Sequence, residues 1–207
     1  MSATAPAAST QPSRRRAAAA LLFALALATA GCAREPGRIP NLHVVEPGTL
    51  LRGGQADAEG LRRLRDEYGV RTIVNLNDRT TEWERAAAAS LGMDYIGLPM
   101  SVMELDRGQL LTFLRAVEDA RARGRAPVYV HCQYGQDRTG VAVGVYRIVE
   151  QGWCADHAAA ELDRYQHWTH GVLFPHLDDR LRETESRRNR WRAFRAILPP
   201  APVERHL

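Results

Sequence analysis

The chain has 207 residues, enough for one medium-sized domain with an appendage, and this length excludes a large multidomain enzyme. Apolar residues make up 45% of it, an ordinary share for a globular protein with a buried core. All 28 basic residues are arginine, and they outnumber the 24 acidic residues by four. Three of these arginines lie at positions 14–16, and without them the net charge is only +1. This balance is too even to indicate nucleic acid or an anionic membrane surface as the main partner. Three cysteines are too few for a disulfide framework, and their spacing matches no zinc site.

The first feature along the chain is a secretory signal. The arginines at positions 14–16 precede an apolar run over residues 17–30, followed by Gly31 and Cys32. This order is typical of a signal peptide (residues 1–31), and the run is shorter than the roughly 20 apolar residues of a membrane-spanning helix. Residues 28–32 (ATAGC) also resemble a bacterial lipobox, which predicts lipidation of Cys32; the alternative is plain cleavage that leaves a free thiol. Both place the domain outside the cytoplasm, in the periplasm or cell envelope.

The chain after the signal divides into a linker over residues 32–40, one domain over residues 41–198 and a tail over residues 199–207. Two short runs, Val44-Val45 and Thr49-Leu50-Leu51, flank a Glu-Pro-Gly turn and predict a hairpin. Helical spacing over residues 57–68 begins with Asp57 as a candidate N-cap. The β-branched run over residues 70–76 predicts a central strand, followed by a helix over residues 80–91 and a short strand over residues 95–98.

The second half of the chain continues the alternation. Residues 106–123 have the pattern of an amphipathic helix, and residues 128–130 predict a buried strand. Helices are expected over residues 141–151 and 155–168, and one more, rich in arginine, near residues 176–197. Strands alternating with helices predict an α/β fold, a single domain with a mostly parallel central sheet flanked by helices.

One stretch carries the chemistry: residues 128–140 read VYVHCQYGQDRTG. A buried strand ends at Cys132, a tight loop follows, and Arg138 opens a helix. Backbone N–H groups of such a loop, here Gln133, Tyr134, Gly135 and Gln136, converge on an anion with help from the positive helix end. Gly135 permits a backbone conformation that most residues resist. A phosphate is therefore the ligand that this stretch predicts.

The side chains of the same stretch suit a reaction at phosphorus. The planar guanidinium of Arg138 can hold two phosphate oxygens at once, which a lysine could not. The positive field of the loop is expected to stabilise a thiolate at Cys132 and prepare it as a nucleophile. The alternative for Cys132 is a buried structural thiol, because free cysteine is often a core residue.

This stretch resembles the active-site signature of the cysteine-dependent protein tyrosine phosphatases, specifically the dual-specificity-like branch, in which His-Cys, five residues, Arg and Ser/Thr form the catalytic loop. The resemblance is weaker at residues 50–55 (LLRGGQ), 72–77 and 147–161, and it covers residues 42–170. It implies that Cys132 is the nucleophile and Arg138 the phosphate clamp. Thr139 would ease departure of the cysteine sulfur, and His131 would orient the loop and tune the thiol. The family's chemistry proceeds through phosphocysteine without a cofactor or metal.

The proton donor to the leaving group is less defined. Lining residues 95–98 up with the family places Val102 where most relatives have an aspartate. Glu104 and Asp106 are close enough to substitute, although Asp106 could instead cap the next helix. Asp137, directly before Arg138, resembles an aspartate in the loops of myotubularin-like and Sac-type phosphoinositide phosphatases, where it has an acid-type role. The alternative for Asp137 is a hydrogen bond that braces the loop.

Several remaining residues have structural interpretations. Cys154 is expected to be structural, although a disulfide with Cys132 is conceivable in an oxidising compartment. Aromatic residues at 153, 165 and 168 are expected to pack in the core, and the histidines at 167, 170 and 176 are spaced too irregularly for a metal site. The arginines of residues 180–195 are expected on a solvated helix face.

The sequence therefore predicts a phosphatase that hydrolyses a phosphorylated protein or a small phosphomonoester, with no nucleic-acid partner and membrane contact only through an N-terminal lipid. The loop holds no basic residue between Cys132 and Arg138, which disfavours highly charged inositol ligands. Three alternatives remain: a catalytically weak phosphate-binding module of the same fold, an inositol phosphate or phosphoinositide phosphatase, and a rhodanese-like sulfurtransferase.

Overall fold

The computed structural model describes residues 35–78, 82–166 and 174–204. The predicted signal peptide with Cys32 lies outside the described residues, as do the histidines at 167 and 170 and the tryptophan at 168. Pro36–Leu207 is one compact unit. Within the described ranges, no helix is long and apolar enough to cross a membrane.

A five-stranded sheet forms the centre of this unit. Its strands are β1 (His43–Glu46), β2 (Leu50–Gly54), β3 (Thr72–Asn75), β4 (Asp94–Gly97) and β5 (Val128–Cys132). The spatial order is β1-β2-β5-β3-β4; β1 and β2 form the predicted antiparallel hairpin, and the other neighbours are parallel. The predicted α/β architecture with a mostly parallel sheet is confirmed. The middle strand is β5, however, and β3, predicted to be central, lies beside it.

Seven helices occur in the described ranges. They are α1 (Ala58–Asp66), α2 (Glu82–Ser90), α3 (Arg107–Ala122), α4 (Asp137–Val149), α5 (Ala155–Asp163), α6 (His176–Ser186) and α7 (Arg188–Ile197). The Asp57 side chain caps α1 by accepting from the Gly60 N–H, as predicted.

Two of the helix predictions were wrong. Helix α4 begins at Asp137, so Arg138 lies in its first turn as the loop pattern predicted, although the apolar pattern began only at 141. Helix α5 ends at Asp163 rather than at 168. The C-terminal segment, which was expected to be a single helix, forms two helices, because Arg187 leaves helical geometry at φ −120° and ψ 20°. The break lets α6 pack on α4 and α5 while α7 packs on α3, which buries both Leu181 and Trp191.

Alternate residues of the strands face the two sides of the sheet and build two apolar layers. Val74 and Val130 belong to the layer that contains α3 and α4, whereas Ile73 and Tyr129 belong to the layer that contains α1. Residues of the predicted linker and of the predicted tail also pack against these layers. Ile39 is buried within the predicted linker, and in the predicted tail Ala201 is buried and its N–H donates to Asp119.

Candidate active site

The loop predicted to bind phosphate, residues 133–136, connects the middle strand β5 to helix α4 at the carboxyl edge of the sheet. Strand β5 ends at Cys132, and α4 begins five residues later at Asp137. Gly135 has φ +71°, the left-handed conformation that the sequence predicted for it. A Cβ atom there would lie 2.4 Å from the carbonyl carbon of Gly53. Only glycine therefore fits between the loop and the end of β2.

The backbone carbonyls of the loop are bound from outside it. Four consecutive oxygens accept hydrogen bonds: Gln133 from the Gln55 N–H (3.2 Å), Tyr134 from the Asn41 amide (2.8 Å), Gly135 from Arg52 (2.6 Å) and Gln136 from the Gly140 N–H (2.6 Å). In a trans peptide the N–H of the next residue points away from the carbonyl oxygen. The N–H groups of residues 134–137 therefore point away from these four partners, which is the arrangement that binds an anion.

Cys132 and His131 lie at the base of this loop. Cys132 is only 3% exposed, and both it and the exposed Cys154 are free thiols. His131 is fully buried, and its Nε2 lies 3.2 Å from Oε1 of Glu84, which is itself fully buried near the start of α2. Asn75 on β3 donates to the other oxygen of Glu84 at 2.9 Å. The histidine before the cysteine thus lies beside a buried carboxylate from a separate element.

Arg138 and Thr139 lie in the first turn of α4. One terminal nitrogen of Arg138 is 3.4 Å from Oδ1 of Asp78 and 3.4 Å from the carbonyl oxygen of Met100. These contacts are longer than most hydrogen bonds, so the guanidinium is only loosely held where the loops after β3 and β4 converge. Thr139 is fully buried, and its hydroxyl has no hydrogen-bond partner in the described part of the chain.

The carboxylates predicted as proton donors have different surroundings. The Asp106 side chain caps α3, accepting from the Gln109 N–H at 2.9 Å. Asp137 accepts from the Gln166 amide at 2.7 Å. Glu104 is exposed, and its backbone carbonyl faces Arg180. Asp78, which was not predicted from the sequence, has a carboxyl beside Arg138 and is 71% exposed.

Arg52 on β2 was likewise not predicted to belong to the site. This arginine is fully buried, donates to the Gly135 carbonyl oxygen, and stacks on the Tyr165 ring with 3.7 Å between the guanidinium carbon and the ring centroid. Burial holds the pKa of Arg52 below its ordinary value. A charged residue inside an apolar strand, directly before two glycines, is the sequence signal that could have identified it.

Several residues with structural interpretations lie away from the loop. Trp153 packs under the Arg147 guanidinium, with 4.5 Å between the guanidinium carbon and the ring centroid. His176 contacts the Val102 carbonyl oxygen at 2.8 Å. Arginines of α6 and α7 pair with acids, as in the contact of 3.4 Å between Arg195 and Glu118. Among the described residues, no cluster of histidine, cysteine and carboxylate side chains could hold a metal ion.

The sequence and structure are similar to those of known phosphatases. A family model described as "DSP-PTPase phosphatase fused to NAD+ Kinase" matches residues 38–172. The dual specificity protein phosphatase TpbA of Pseudomonas aeruginosa strain UCBPP-PA14 is 32% identical over 125 residues, which are 60% of this chain and 54% of that protein. The chain thus spans about half the length of the curated relatives it matches.

Solved structures show the same fold. The crystal structure of P. aeruginosa TpbA has a TM-score of 0.57 at 25% identity, covering 74% of this chain and 99% of that one. A cysteine-to-serine variant of TpbA was solved in complex with pTyr, and it matches with a TM-score of 0.55 at 25% identity and the same coverage. The core catalytic domain of the PP-IP phosphatase SIW14 from S. cerevisiae, at 20% identity, has a TM-score of 0.56 and covers 82% of this chain and 100% of its own.

Proposed function

Because the chain belongs to the DSP-PTPase phosphatase family, we propose that it is a cysteine-dependent phosphatase that hydrolyses phosphomonoesters through a phosphocysteine intermediate. The observation that carries this proposal is the loop between β5 and α4. Its carbonyls are bound from outside, Cys132 stands at its start, and Arg138 stands in the first turn of the helix. The TpbA relatives are named dual specificity protein phosphatases.

In the first step, the Cys132 thiolate attacks phosphorus. The S–P bond forms as the bond from phosphorus to the leaving oxygen breaks, and that oxygen takes a proton from a carboxylic acid. Arg138 holds two of the remaining phosphate oxygens, and the N–H groups of residues 134–137 stabilise the charge that develops on them.

In the second step, water attacks the phosphocysteine. The new P–O bond forms as the S–P bond breaks, the proton of the water goes to the carboxylate that gave one earlier, and inorganic phosphate leaves. The buried Thr139 hydroxyl, free of other partners among the described residues, donates to the departing sulfur and stabilises the thiolate. The Glu84 carboxylate lies beside the His131 ring, whose other nitrogen contacts the Cys132 carbonyl oxygen at 3.3 Å.

The protonating acid is assigned to Asp78. Of the candidate carboxyls, its oxygen contacts the guanidinium that holds the phosphate, whereas Asp106 is a helix cap and Asp137 accepts from Gln166. Asp78→Asn is expected to remove the alkaline limb of the pH–rate profile of kcat, because that limb reports deprotonation of the acid. The same effect in Asp137→Asn or Glu104→Gln, and not in Asp78→Asn, would transfer the role.

The substrate class is a phosphoprotein or a simple aryl phosphate. Residues 133–137 contain no basic side chain, and Tyr134 at the mouth of the loop is 65% exposed, so its ring is available to an aromatic leaving group. The complex of the TpbA variant with pTyr supports this choice. An inositol phosphate or phosphoinositide is the second candidate class, and phosphate binding without turnover is the third.

Phosphate release by the full chain tests the proposal, with reductant and without added metal. The panel holds an aryl phosphate, phosphotyrosine and phosphoserine peptides, and inositol phosphates. Release is expected from the parent and from the control Cys154→Ser, which changes an exposed thiol, and is expected to be lost in Cys132→Ser. If the folded parent releases phosphate from no substrate but still binds inorganic phosphate, the phosphate-binding module is favoured.

The location is a separate proposal: residues 1–31 are a cleaved signal peptide, and Cys32 carries lipid. Its support is the basic, apolar and small-residue order of this segment. Mass spectrometry of the N-terminal peptide from a bacterial membrane fraction should show a lipidated residue at position 32, lost in Cys32→Ser. A cleaved peptide with a free thiol would contradict lipidation, and an uncleaved chain would contradict both parts.

A further inference from the structure

We propose that Arg52 is a positioning residue of the phosphate loop, which holds the Gly135 peptide in its anion-binding orientation and places a buried positive charge near the Cys132 thiolate. The inference rests on the proposed function, because it assigns Arg52 to the loop that would perform the reaction. Three observations support it: the contacts of Arg52, its burial, and the lack of a carboxylate bonded to it among the described residues.

Arg52 fixes the orientation of one peptide in the loop. One of its terminal nitrogens donates to the Gly135 carbonyl oxygen at 2.6 Å, across 83 residues of sequence. Because the peptide is planar and trans, this contact turns the N–H of Gln136 to the opposite side of the loop. Gly53, the next residue of the strand, packs against Gly135 so closely that no Cβ fits between them. The end of β2 therefore supports the loop from the protein side.

The Arg52 guanidinium is also a buried charge. Arg52 is fully buried, and its Nε and its second terminal nitrogen have no hydrogen-bond partner in the ranges that the structure describes. The carboxylate of Glu161, which acts on it electrostatically, is already bound by Arg147 through hydrogen bonds of 3.0 and 2.8 Å. A buried cation without a bonded anion is costly, and an apolar residue of the same size would avoid that cost.

This charge lies close to the proposed nucleophile. Arg52 lies opposite Val130 in the pairing of β2 with β5, two residues before Cys132, and it interacts electrostatically with the Cys132 thiol. A nearby positive charge favours the thiolate and the bound phosphate dianion. The guanidinium also stacks on the Tyr165 ring, which defines the direction of its plane.

The test measures the thiol, not turnover. The rate of iodoacetamide alkylation of Cys132 is followed against pH in the full chain by peptide-resolved mass spectrometry, with Cys154 as an internal reference. Arg52→Met keeps an unbranched, apolar side chain, shorter than that of arginine, and removes both the charge and the hydrogen bond. Its alkylation midpoint is expected to rise by about one pH unit or more, and the Kd of inorganic phosphate by roughly tenfold or more.

Arg125→Met is the matched control. Arg125 binds both oxygens of Asp94 at the opposite edge of the sheet, so its loss removes hydrogen bonds far from the loop. The Cys132 midpoint and the phosphate Kd of this variant are expected to match those of the parent. A shift as large as that of Arg52→Met would show that general loosening moves the thiol, and it would overturn the inference.

The remaining outcomes separate the two proposals. A folded Arg52→Met with the parent's midpoint and phosphate Kd overturns the role of Arg52. If the alkylation midpoint rises in Arg52→Met but the parent releases no phosphate, the role of Arg52 is supported and the proposed phosphatase activity is contradicted. Should Arg52→Met fail to fold, Arg52→Lys decides the positioning role, because it keeps the charge but not the stacked fork. Weaker phosphate binding by Arg52→Lys supports that role, and unchanged binding overturns it.

Discussion

Replacing Gly135 with alanine tests the architecture of the loop. Gly135 has φ +71°, where an alanine costs about 1–2 kcal/mol of conformational energy. Its new Cβ would also lie 2.4 Å from the Gly53 carbonyl carbon and 2.6 Å from both the Gly53 oxygen and the Gly54 nitrogen. All three atoms belong to the backbone of β2, so no side-chain rotation can relieve the contact.

The expected loss of activity follows from how far the loop must move away from β2. Ordinary contacts of a Cβ begin at 3.4 Å, so the loop must move by about 1 Å from β2. A misplacement of about 1 Å in a catalytic site costs roughly 10²-fold in rate. We therefore expect Gly135→Ala to lower kcat for an aryl phosphate by roughly 10²-fold or more, together with a lower Tm.

Gly124→Ala separates this effect from backbone strain alone. Gly124 has φ +65°, and in the described part of the chain nothing lies within 4 Å of the position that a Cβ would take, so it shares the conformational cost without the contact. Its Tm is expected to fall by a similar conformational amount while kcat stays at the parent's value. If Gly135→Ala retains a kcat within about threefold of Gly124→Ala, the close packing of the loop on β2 does not control its geometry.

Three further predictions concern single side chains. Arg138→Lys should keep the Tm but lower kcat/KM by roughly 10²-fold, because a lysine cannot hold two phosphate oxygens; a parent-like value would contradict the clamp. In thermal melts, Asp106→Ala should lose about 1 kcal/mol of stability, while Asp106→Asn, which still caps α3, should lose little. Both variants should release phosphate at the rate of the parent. An inactive but stable Asp106→Asn would identify Asp106 as the acid. Burial raises the pKa of Glu46, but hydrogen bonds from Gln151 and Tyr146 outweigh it, so the pKa lies below its ordinary 4.5. The stability from Glu46 is therefore present above pH 4.5 and lost as pH falls through its lowered pKa, and urea melts of Glu46→Gln should show a weaker loss over that window than the parent.

The loop itself could be predicted because its information is local. The strand that ends at Cys132, the glycine in mid-loop and the arginine that opens the helix lie within a few residues of one another, and the left-handed Gly135 is confirmed. Helix caps are local as well: Asp57 accepts from an N–H three residues later, and Asp106, for which capping was one of two interpretations, does the same. Alternation of strands and helices was sufficient to predict a mostly parallel sheet.

The partners of the loop were decided only by the tertiary structure. Arg52 meets Gly135 across 83 residues, and Asp78 meets Arg138 across 60. Glu84 reaches His131 from a helix that no pattern in the sequence connects to the loop. These contacts exist because β5 inserts between β2 and β3, which brings the ends of three strands together at one edge of the sheet. Strand order depends on the packing of the whole core, and a local pattern carries no information about it; the sequence therefore determined the reacting groups, and the fold determined what holds them in place.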